Sequence, residues 1–414
     1  MNRQVGLGLF SLAAVCTSLL VATPVRATEA NLGPGLEFSS DDKAFSAQVG
    51  GRIMQDWAFI RADDDAKEQL GQSSVDGTEI RRARLFMAGL LHGNVAFKAQ
   101  FDFAGGGSKT KDLYMELRKL PFGTVRVGNF FEPFGLEGSM SSKYITFMER
   151  GLATTFSPGR NMGIMVHNNF VGSRGTWAAG VYRVDDSDGT TKNVDFAKYM
   201  QTGRITYAPK MSDDGTRVVH LGFAATHRRP SGSQVSYSVR PSAHLAGVSL
   251  STGGVSAERI VGAAVEAAMV AGPISAQGEV AMVAHSAPDT DTAGRGDSAA
   301  RSEPTFMAVS AEASYWLTGE NRTYSMGTFG RVKPKKNFGD GDGMGAWQVA
   351  ARVSYIDLDD SGVEAGRMID ITLGTNWHLN PNARIMLNYV MAMPEVGDGD
   401  GAFNIFQTRF QIDF

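Results

Sequence analysis

Arginines are the side chains of this chain best suited to chemistry, and the first third of the sequence is rich in them. Arg81-Arg82-Ala83-Arg84 places three within four residues, while Arg52 precedes that run and Arg126 follows it. A guanidinium group stays charged at any working pH, and its planar fork binds an oxyanion through two parallel hydrogen bonds. These residues are therefore suited to binding small anions.

The arginines occur in segments where apolar and polar residues alternate. In the last segment Phe406, Phe410 and Ile412 fall on one face, and Arg409 and Asp413 fall on the other. A strand places successive side chains on opposite faces, although a soluble sandwich would show the same period. About sixteen strands are predicted, near residues 45–60, 80–90, 95–103, 112–119, 125–131, 162–170, 176–184, 199–208, 218–228, 257–270, 274–285, 306–316, 346–358, 368–379, 383–393 and 403–414.

The connections between these segments alternate in length. Short ones, such as Leu91–Asn94 and Leu379–Pro381, are separated by long polar ones, such as Asp63–Gly77 and Arg229–Ser256. Short turns on one side and long loops on the other are typical of outer-membrane barrels. One long connection, Thr318–Gly343, falls on the short-turn side and departs from this rule.

The fold class that follows is all-β, a transmembrane antiparallel barrel of about sixteen strands. An even count returns the chain to the side where it began, and a barrel of this size leaves an aqueous channel. Phe414 closes the last strand with an aromatic residue on the lipid face. We therefore expect the chain in the outer membrane of a Gram-negative bacterium.

Charges on the lumen face of a barrel decide which ions pass. The alternation predicts a mixed face, and solvated charges of a general pore are an open alternative. The predicted inward basic residues are Arg52, Arg82, Arg84, Lys98, Arg126, Arg204, Arg352, Arg384 and Arg409. The predicted inward acidic residues are Asp56, Asp102, Glu266, Glu279, Glu312, Asp370 and Asp413.

The long connection Glu132–Arg160 follows the fifth predicted strand and contains aromatic and basic residues. With several other runs, it resembles the porin O and porin P family of phosphate- and polyphosphate-selective porins. The similarity extends in order from Val49 to Phe414. The matching runs are Val49-Gly50-Gly51-Arg52, Arg81-Arg82-Ala83-Arg84-Leu85, Phe134-Gly135-Leu136-Glu137, Ser141-Ser142-Lys143, Glu149-Arg150, Tyr315-Trp316-Leu317-Thr318-Gly319-Glu320, Gly345-Ala346-Trp347 and Leu373-Gly374-Thr375-Asn376-Trp377.

This resemblance implies a trimer of sixteen-stranded barrels, with an inward-folded third loop and a folded-in fifth loop lining the pore. It implies an anion site in which Asp112 is the acidic partner and Lys143 lies beside the site. Arg84 stands where the phosphate porin has an aromatic residue. The matching positions imply Arg52, Arg81, Arg82 and Arg150 as the arginines of this site, and we add Arg84 and Arg240 as further candidate pore-lining arginines.

The sequence also departs from the family pattern at two places. The third-loop lysine of the family falls on Gly138, and only Arg240 remains of the arginine ladder on the fifth loop. A lost ladder weakens the electrostatic funnel that draws anions in. We expect a channel for small anions, with phosphate or polyphosphate as candidates. A general or weakly cation-preferring porin is the alternative.

Residues 1–27 combine Arg3, an apolar run and small residues near Ala27, which predicts a signal peptide followed by one barrel domain over residues 28–414. The only cysteine, Cys16, lies inside that peptide, so a thiolate enzyme is not expected. A net charge of −3 gives no basic bias for nucleic acid. The sequence lacks a His-Glu-x-x-His metal motif, and Phe103 and Ser108 break the likeness of Gly105–Thr110 to a phosphate-binding loop.

We therefore predict a passive channel, without enzymatic activity, metal or cofactor. Its expected partners are small phosphate-like anions, outer-membrane lipids, the barrel-assembly machinery and further copies of the chain in a homotrimer.

Overall fold

The computed structural model describes residues 29–33, 35–71, 73–183, 199–230, 234–287 and 303–414. The predicted signal peptide, residues 1–27, and the predicted loop Asp185–Asn193 lie outside the described residues. Most of the predicted loop Ala287–Glu303 does so too.

Long antiparallel strands form one closed barrel. The strands are β1 (Ser46–Ala62), β2 (Val75–Leu91), β3 (Val95–Asp102), β4 (Lys109–Leu120), β5 (Gly123–Phe131), β6 (Arg160–Phe170), β7 (Gly175–Arg183), β8 (Tyr199–Met211), β9 (Arg217–Arg228), β10 (Arg259–Ala271), β11 (Ile274–Ser286), β12 (Thr305–Trp316), β13 (Ala346–Asp360), β14 (Val363–Asn380), β15 (Ala383–Val396) and β16 (Phe403–Asp413). β16 pairs with β1, from Phe403 opposite Ala62 to Asp413 opposite Arg52, which closes the sheet. The predicted set of sixteen strands is confirmed, with several strands a few residues longer.

Alternation in the sequence does not predict the N-terminal hairpin formed by Glu29–Gly33 and Gly35–Ser39. Its second strand pairs with the start of β1, where Leu36 lies opposite Val49. The hairpin therefore covers the part of β1 beyond the end of β16, and a covered edge does not pair with other chains. The remaining short elements are α1 (Asp64–Glu68), α2 (Leu136–Ser139), the 3-10 turn Leu152–Phe156, and the two-residue strands Gln234–Val235, Ser238–Val239, Leu250–Ser251, Val255–Ser256, Tyr324–Ser325, Thr328–Phe329 and Gly399–Asp400. None of the helices among the described residues is long and apolar enough to cross a membrane.

The two faces of the barrel differ in chemistry as predicted. Ile53, Leu85 and Val265 point outward and remain exposed, while Asp56 and Gln407 point inward and are buried. An apolar outer face suits lipid, and a polar inner face suits an aqueous lumen. Every residue predicted to carry an inward charge is buried or partly buried on the lumen side, which confirms the predicted orientation.

Two connections fold into the lumen from opposite ends. The third loop, residues 132–159, enters from the side of the long loops, as predicted. The inserted segment, residues 317–345, enters from the side of the short turns, where the sequence analysis placed Thr318–Gly343. The two meet inside the barrel, because Phe329 of the inserted segment packs with Leu136, Met140 and Ile145 of the third loop.

The tip of the inserted segment touches the wall of the barrel. Gly327 has a positive φ of 74°, and a Cβ atom built there would lie 2.6 Å from Thr206 Oγ1. The Gly327 carbonyl accepts a hydrogen bond of 2.8 Å from Arg204 Nη2. Glycine is therefore required at the tip both by the backbone conformation and by the close approach.

Arg409 joins the barrel wall to the third loop. This side chain is fully buried, and its Nε and Nη2 atoms lie 2.7 and 2.6 Å from the carboxylate oxygens of Asp56. Nη2 also lies 2.8 Å from Glu149 Oε1. One guanidinium group thus binds a buried carboxylate of β1, Asp56, and a partly buried carboxylate of the third loop, Glu149.

Replacing Arg409 should destabilise the barrel strongly. Arg409→Met leaves Asp56 with an uncompensated buried charge, which costs about 3–5 kcal/mol. The control is Arg367→Met, because Arg367 pairs with Glu395 with side chains 56% and 49% exposed and such a pair contributes about 0–1 kcal/mol. Urea unfolding in detergent micelles, followed by the gel mobility of the folded barrel, measures both. Equal midpoints for the two variants would contradict the account.

Candidate functional site

Polar side chains of β13 to β16 hold the third loop by its backbone. Asn376 Nδ2 donates to the Thr146 carbonyl at 2.8 Å, and Arg384 Nη1 donates to the Ile145 carbonyl at 3.0 Å. Arg352 Nη1 donates to the Glu149 carbonyl at 2.8 Å, and Arg409 Nη1 donates to the Met148 carbonyl. Buried backbone carbonyls need such partners, so the polar lumen face provides a docking surface for the loop.

Two glycines permit this close docking. A Cβ atom on Gly151 would lie 2.3 Å from Ser310 Oγ, and one on Gly374 of β14 would lie 2.9 Å from the ring of Phe147. The loop is therefore packed against the wall formed by β10 to β16. An open part of the lumen remains on the opposite side, beside β1 to β6.

That open part is a cavity of about 260 Å³ between the third loop and β1 to β6, which we call the eyelet. Among the described residues, seven basic side chains line it, against the single carboxylate of Asp112. Aromatic rings support two of the cations, since Arg126 lies 4.3 Å from the Tyr114 ring centroid and Arg160 lies 3.9 Å from that of Phe131. The basic residues lining the eyelet are Arg52, Arg82, Arg84, Lys98, Arg126, Arg150 and Arg160.

Most of these cations have a carboxylate partner. Asp112 binds both Lys98, at 2.6 Å, and Arg160, at 2.7 Å. Arg84 lies 2.7 Å from Asp102, and Arg126 lies 2.6 Å from Glu116. These pairs fix the positions of the cations and offset much of their charge.

Arg52 and Arg150 differ from the other cations of the eyelet. Arg52 Nη1 donates to Ser142 Oγ at 2.9 Å and to Ser141 Oγ at 3.3 Å. Arg150 donates to two backbone carbonyls, those of Glu137 at 2.7 Å and Met140 at 2.6 Å. Within the described part of the chain, neither has a carboxylate oxygen within 4.0 Å. No direct ion pair therefore neutralises either charge among the described residues.

Arg81 and Arg82 both reach the lumen although they are adjacent in sequence. The pairing of β1 with β2 shifts between Met54 and Gln55, which lie opposite Arg82 and Ile80, so Arg81 is the extra residue of a β-bulge. A bulge redirects a side chain that alternation alone would turn to the other face.

Glu149 of the third loop forms ion pairs with both arginines. Arg81 donates to its two oxygens at 2.8 and 2.9 Å, and Arg82 Nη2 lies 3.9 Å away. Burial on its own would raise the pKa of Glu149, but the charges of Arg81, Arg82 and Arg409 hold that pKa well below the ordinary value of 4.5. Glu149 therefore remains a carboxylate and ties the loop to β2 and β16.

The structure brings five of the eight predicted site residues into the eyelet: Arg52, Arg82, Arg84, Asp112 and Arg150. Arg81 does not line the eyelet and instead forms an ion pair with Glu149. Lys143 lies outside the eyelet because Asp413 holds its amine at 3.4 Å. Arg240 also lies outside it, exposed on the fifth loop and donating to the His244 carbonyl at 2.8 Å.

Three lining residues of the eyelet, Arg160, Ser141 and Ser142, are not among the site residues predicted from the sequence. Arg160 is the first residue of β6, directly after the third loop, so alternation gave no face for it. The two serines belong to the family motif Ser141-Ser142-Lys143, but only the lysine of that motif is a predicted site residue.

A closed barrel with an outer apolar face, a charged lumen and an inward loop defines an outer-membrane porin. The chain belongs to the family described as phosphate-selective porin O and P, which matches residues 48–414. From its family and from the basic lining of the eyelet, we conclude that the chain is a porin for small anions in the outer membrane of a Gram-negative bacterium.

Individual relatives agree with this assignment. The chain is 30% identical to an uncharacterized protein of Caulobacter vibrioides, with 97% of this chain and 82% of that protein covered. It is 28% identical to Porin O of Pseudomonas aeruginosa, with 92% and 91% covered. The anion-selective porin from Comamonas acidovorans shares the fold, with a TM-score of 0.55 at 14% identity over 89% of this chain and all of that one. The channel DcaP of Acinetobacter baumannii has a TM-score of 0.55 at 12% identity, with 91% and 99% covered.

The charge of Glu149 should contribute to stability in a pH-dependent way. A carboxylate whose pKa is lowered by folding stabilises the fold above its ordinary pKa, and this contribution declines as the pH falls below it. Glu149→Gln should therefore lower the urea midpoint at pH 7, and its difference from the unmodified protein should shrink below about pH 4.5. Glu395→Gln, at the exposed pair with Arg367, is the matched control. A deficit that stays constant from pH 7 to pH 3 would contradict this role.

Proposed function

We propose that Arg52, Arg82 and Arg150, with the hydroxyl groups of Ser141 and Ser142, form the filter that makes this porin prefer anions. The observation that carries the proposal is the absence, among the described residues, of a carboxylate within 4.0 Å of Arg52 or Arg150. An ion entering the eyelet thus meets fixed positive charge in a narrow passage. Such charge attracts anions and repels cations more strongly than it would in open water.

Inorganic phosphate is one of the anions that this filter can bind. Guanidinium groups and hydroxyl groups are donors that match its oxygens. Gly138, where the family has a lysine, provides one cation less than the family pattern. Chloride and phosphate should therefore pass through the same eyelet, with weaker phosphate binding than a lysine at that position would give.

The proposed assembly is a homotrimer in contact with outer-membrane lipids and inserted by the barrel-assembly machinery. Its support is family membership and the trimer form of OmpT of Vibrio cholerae, which shares the fold with a TM-score of 0.52.

The first test is the reversal potential of the trimer in a planar bilayer under a KCl gradient. Arg52→Gln with Arg150→Gln should reduce the permeability of chloride relative to potassium on the order of tenfold. The reason is that the interaction energy between a unit charge and a nearby ion in the eyelet exceeds about 1 kcal/mol. The matched control removes two charges at exposed pairs, Arg61→Gln with Arg367→Gln. A potential that favours potassium in the unmodified channel would instead support a general or cation-preferring porin.

A second test adds the missing lysine. Gly138 has an ordinary backbone conformation, and a Cβ atom there would lie 3.0 Å from Ser157 Oγ, so Ser157→Ala makes room. Gly138→Lys in that background should make phosphate block the chloride current at lower concentrations than in Ser157→Ala alone. An unchanged blocking concentration would show that position 138 does not face the path of the anion.

A further inference from the structure

A second group of cations lies on the other side of the third loop. It surrounds a cavity of about 30 Å³ between residues 143–146 of that loop, residues 330–332 of the inserted segment and the ends of β12 to β16 on the short-turn side. This cavity shares no lining residue with the eyelet. We call it the junction cavity.

Three nitrogen atoms of the junction cavity are buried without a protein partner: Trp316 Nε1, Arg384 Nη2 and His378 Nε2. Trp316 is 1% exposed and Arg384 is 4% exposed. The indole and guanidinium nitrogens can only donate, and the imidazole nitrogen donates when it carries the proton. Buried donors of this kind need an acceptor inside the cavity.

The charge around the cavity is strongly positive. Four cations line it, and Asp413 is the one lining carboxylate among the described residues. That carboxylate binds Arg331 and lies 3.4 Å from Lys143. Arg322 has its own partner, Glu312, at 3.6 Å.

Arg384 has no such partner in the described part of the chain. Its Nε atom donates to Gln411 Oε1 at 3.1 Å, and its Nη1 atom donates to the Ile145 carbonyl at 3.0 Å. Both acceptors are neutral, so no direct ion pair compensates the positive charge of this buried group. A buried charge without a counter-charge is costly, whereas a water molecule would satisfy the hydrogen bond and leave the charge.

We propose that the junction cavity binds one small inorganic anion, of the size of chloride, between Arg384, Trp316 and His378. A cavity of about 30 Å³ exceeds the roughly 10–15 Å³ that one water requires. The bound anion completes the hydrogen bonds of the two obligate donors and compensates Arg384. Because the third loop and the inserted segment both line the cavity, the anion also fastens the two together, away from the eyelet.

Bromide tests the proposal directly, because it replaces chloride and scatters anomalously. Crystals of the full-length mature protein soaked in sodium bromide should show an anomalous peak within hydrogen-bonding distance of both Arg384 Nη2 and Trp316 Nε1. Trp316→Phe keeps an aromatic side chain but removes the indole N–H donor, so it should reduce the height of this peak. Ordinary water density without an anomalous signal at this place would overturn the proposal.

A stability measurement in solution distinguishes a genuine site from binding at crystal concentration only. An anion that binds the folded state raises the unfolding midpoint with its concentration. The midpoint should rise when chloride replaces gluconate at constant ionic strength, and Trp316→Phe and Arg384→Gln should lose most of this rise. Trp377→Phe, at a tryptophan outside the cavity, should retain it. An equal chloride effect in the unmodified protein, Trp316→Phe and Trp377→Phe would refute the site. This comparison does not require Arg384→Gln to fold well.

Discussion

Hydrogen bonds from the far wall of the barrel to the backbone of the third loop are the interaction on which the rest of the structure depends. The carbonyls of residues 145, 146, 148 and 149 each accept a bond from a polar side chain of β13 to β16. A loop crossing a water-filled lumen would otherwise be mobile, since loops with solvated backbones have little to hold them. The wall thus decides where the loop lies, and the loop decides where the pore is narrow.

This placement explains the uneven distribution of charge in the lumen. On the far wall, charged side chains such as Arg352 and Arg409 serve the docked loop and are almost completely buried. On the near wall, the arginines of β1 and β2 face the remaining opening. The same residue type therefore has a structural role on one side and lines the passage on the other, and the difference lies in the carbonyls and carboxylates that each guanidinium meets.

The sequence was sufficient to predict the barrel because alternation is local and repeats sixteen times. It also located Arg52, Arg82 and Arg150, through alternation and family resemblance. Alternation did not predict that Arg81 joins Arg82 on the lumen side, because the bulge depends on register with β1, and only the family resemblance pointed to Arg81. Nor did it predict that Lys143 turns toward Asp413, because the two residues are far apart in sequence and meet only after the loop has docked. The N-terminal hairpin was missed because its strands are five residues long and carry too little periodicity.

Single-channel recording of Arg352→Met with Asn376→Leu tests the central claim, that the far wall places the filter, most directly. Neither residue lines the eyelet, and each provides one hydrogen bond to the third-loop backbone. The account predicts a larger and noisier conductance with a weaker preference for anions, although every arginine of the eyelet is retained. A conductance and reversal potential identical to those of the unmodified channel would contradict it.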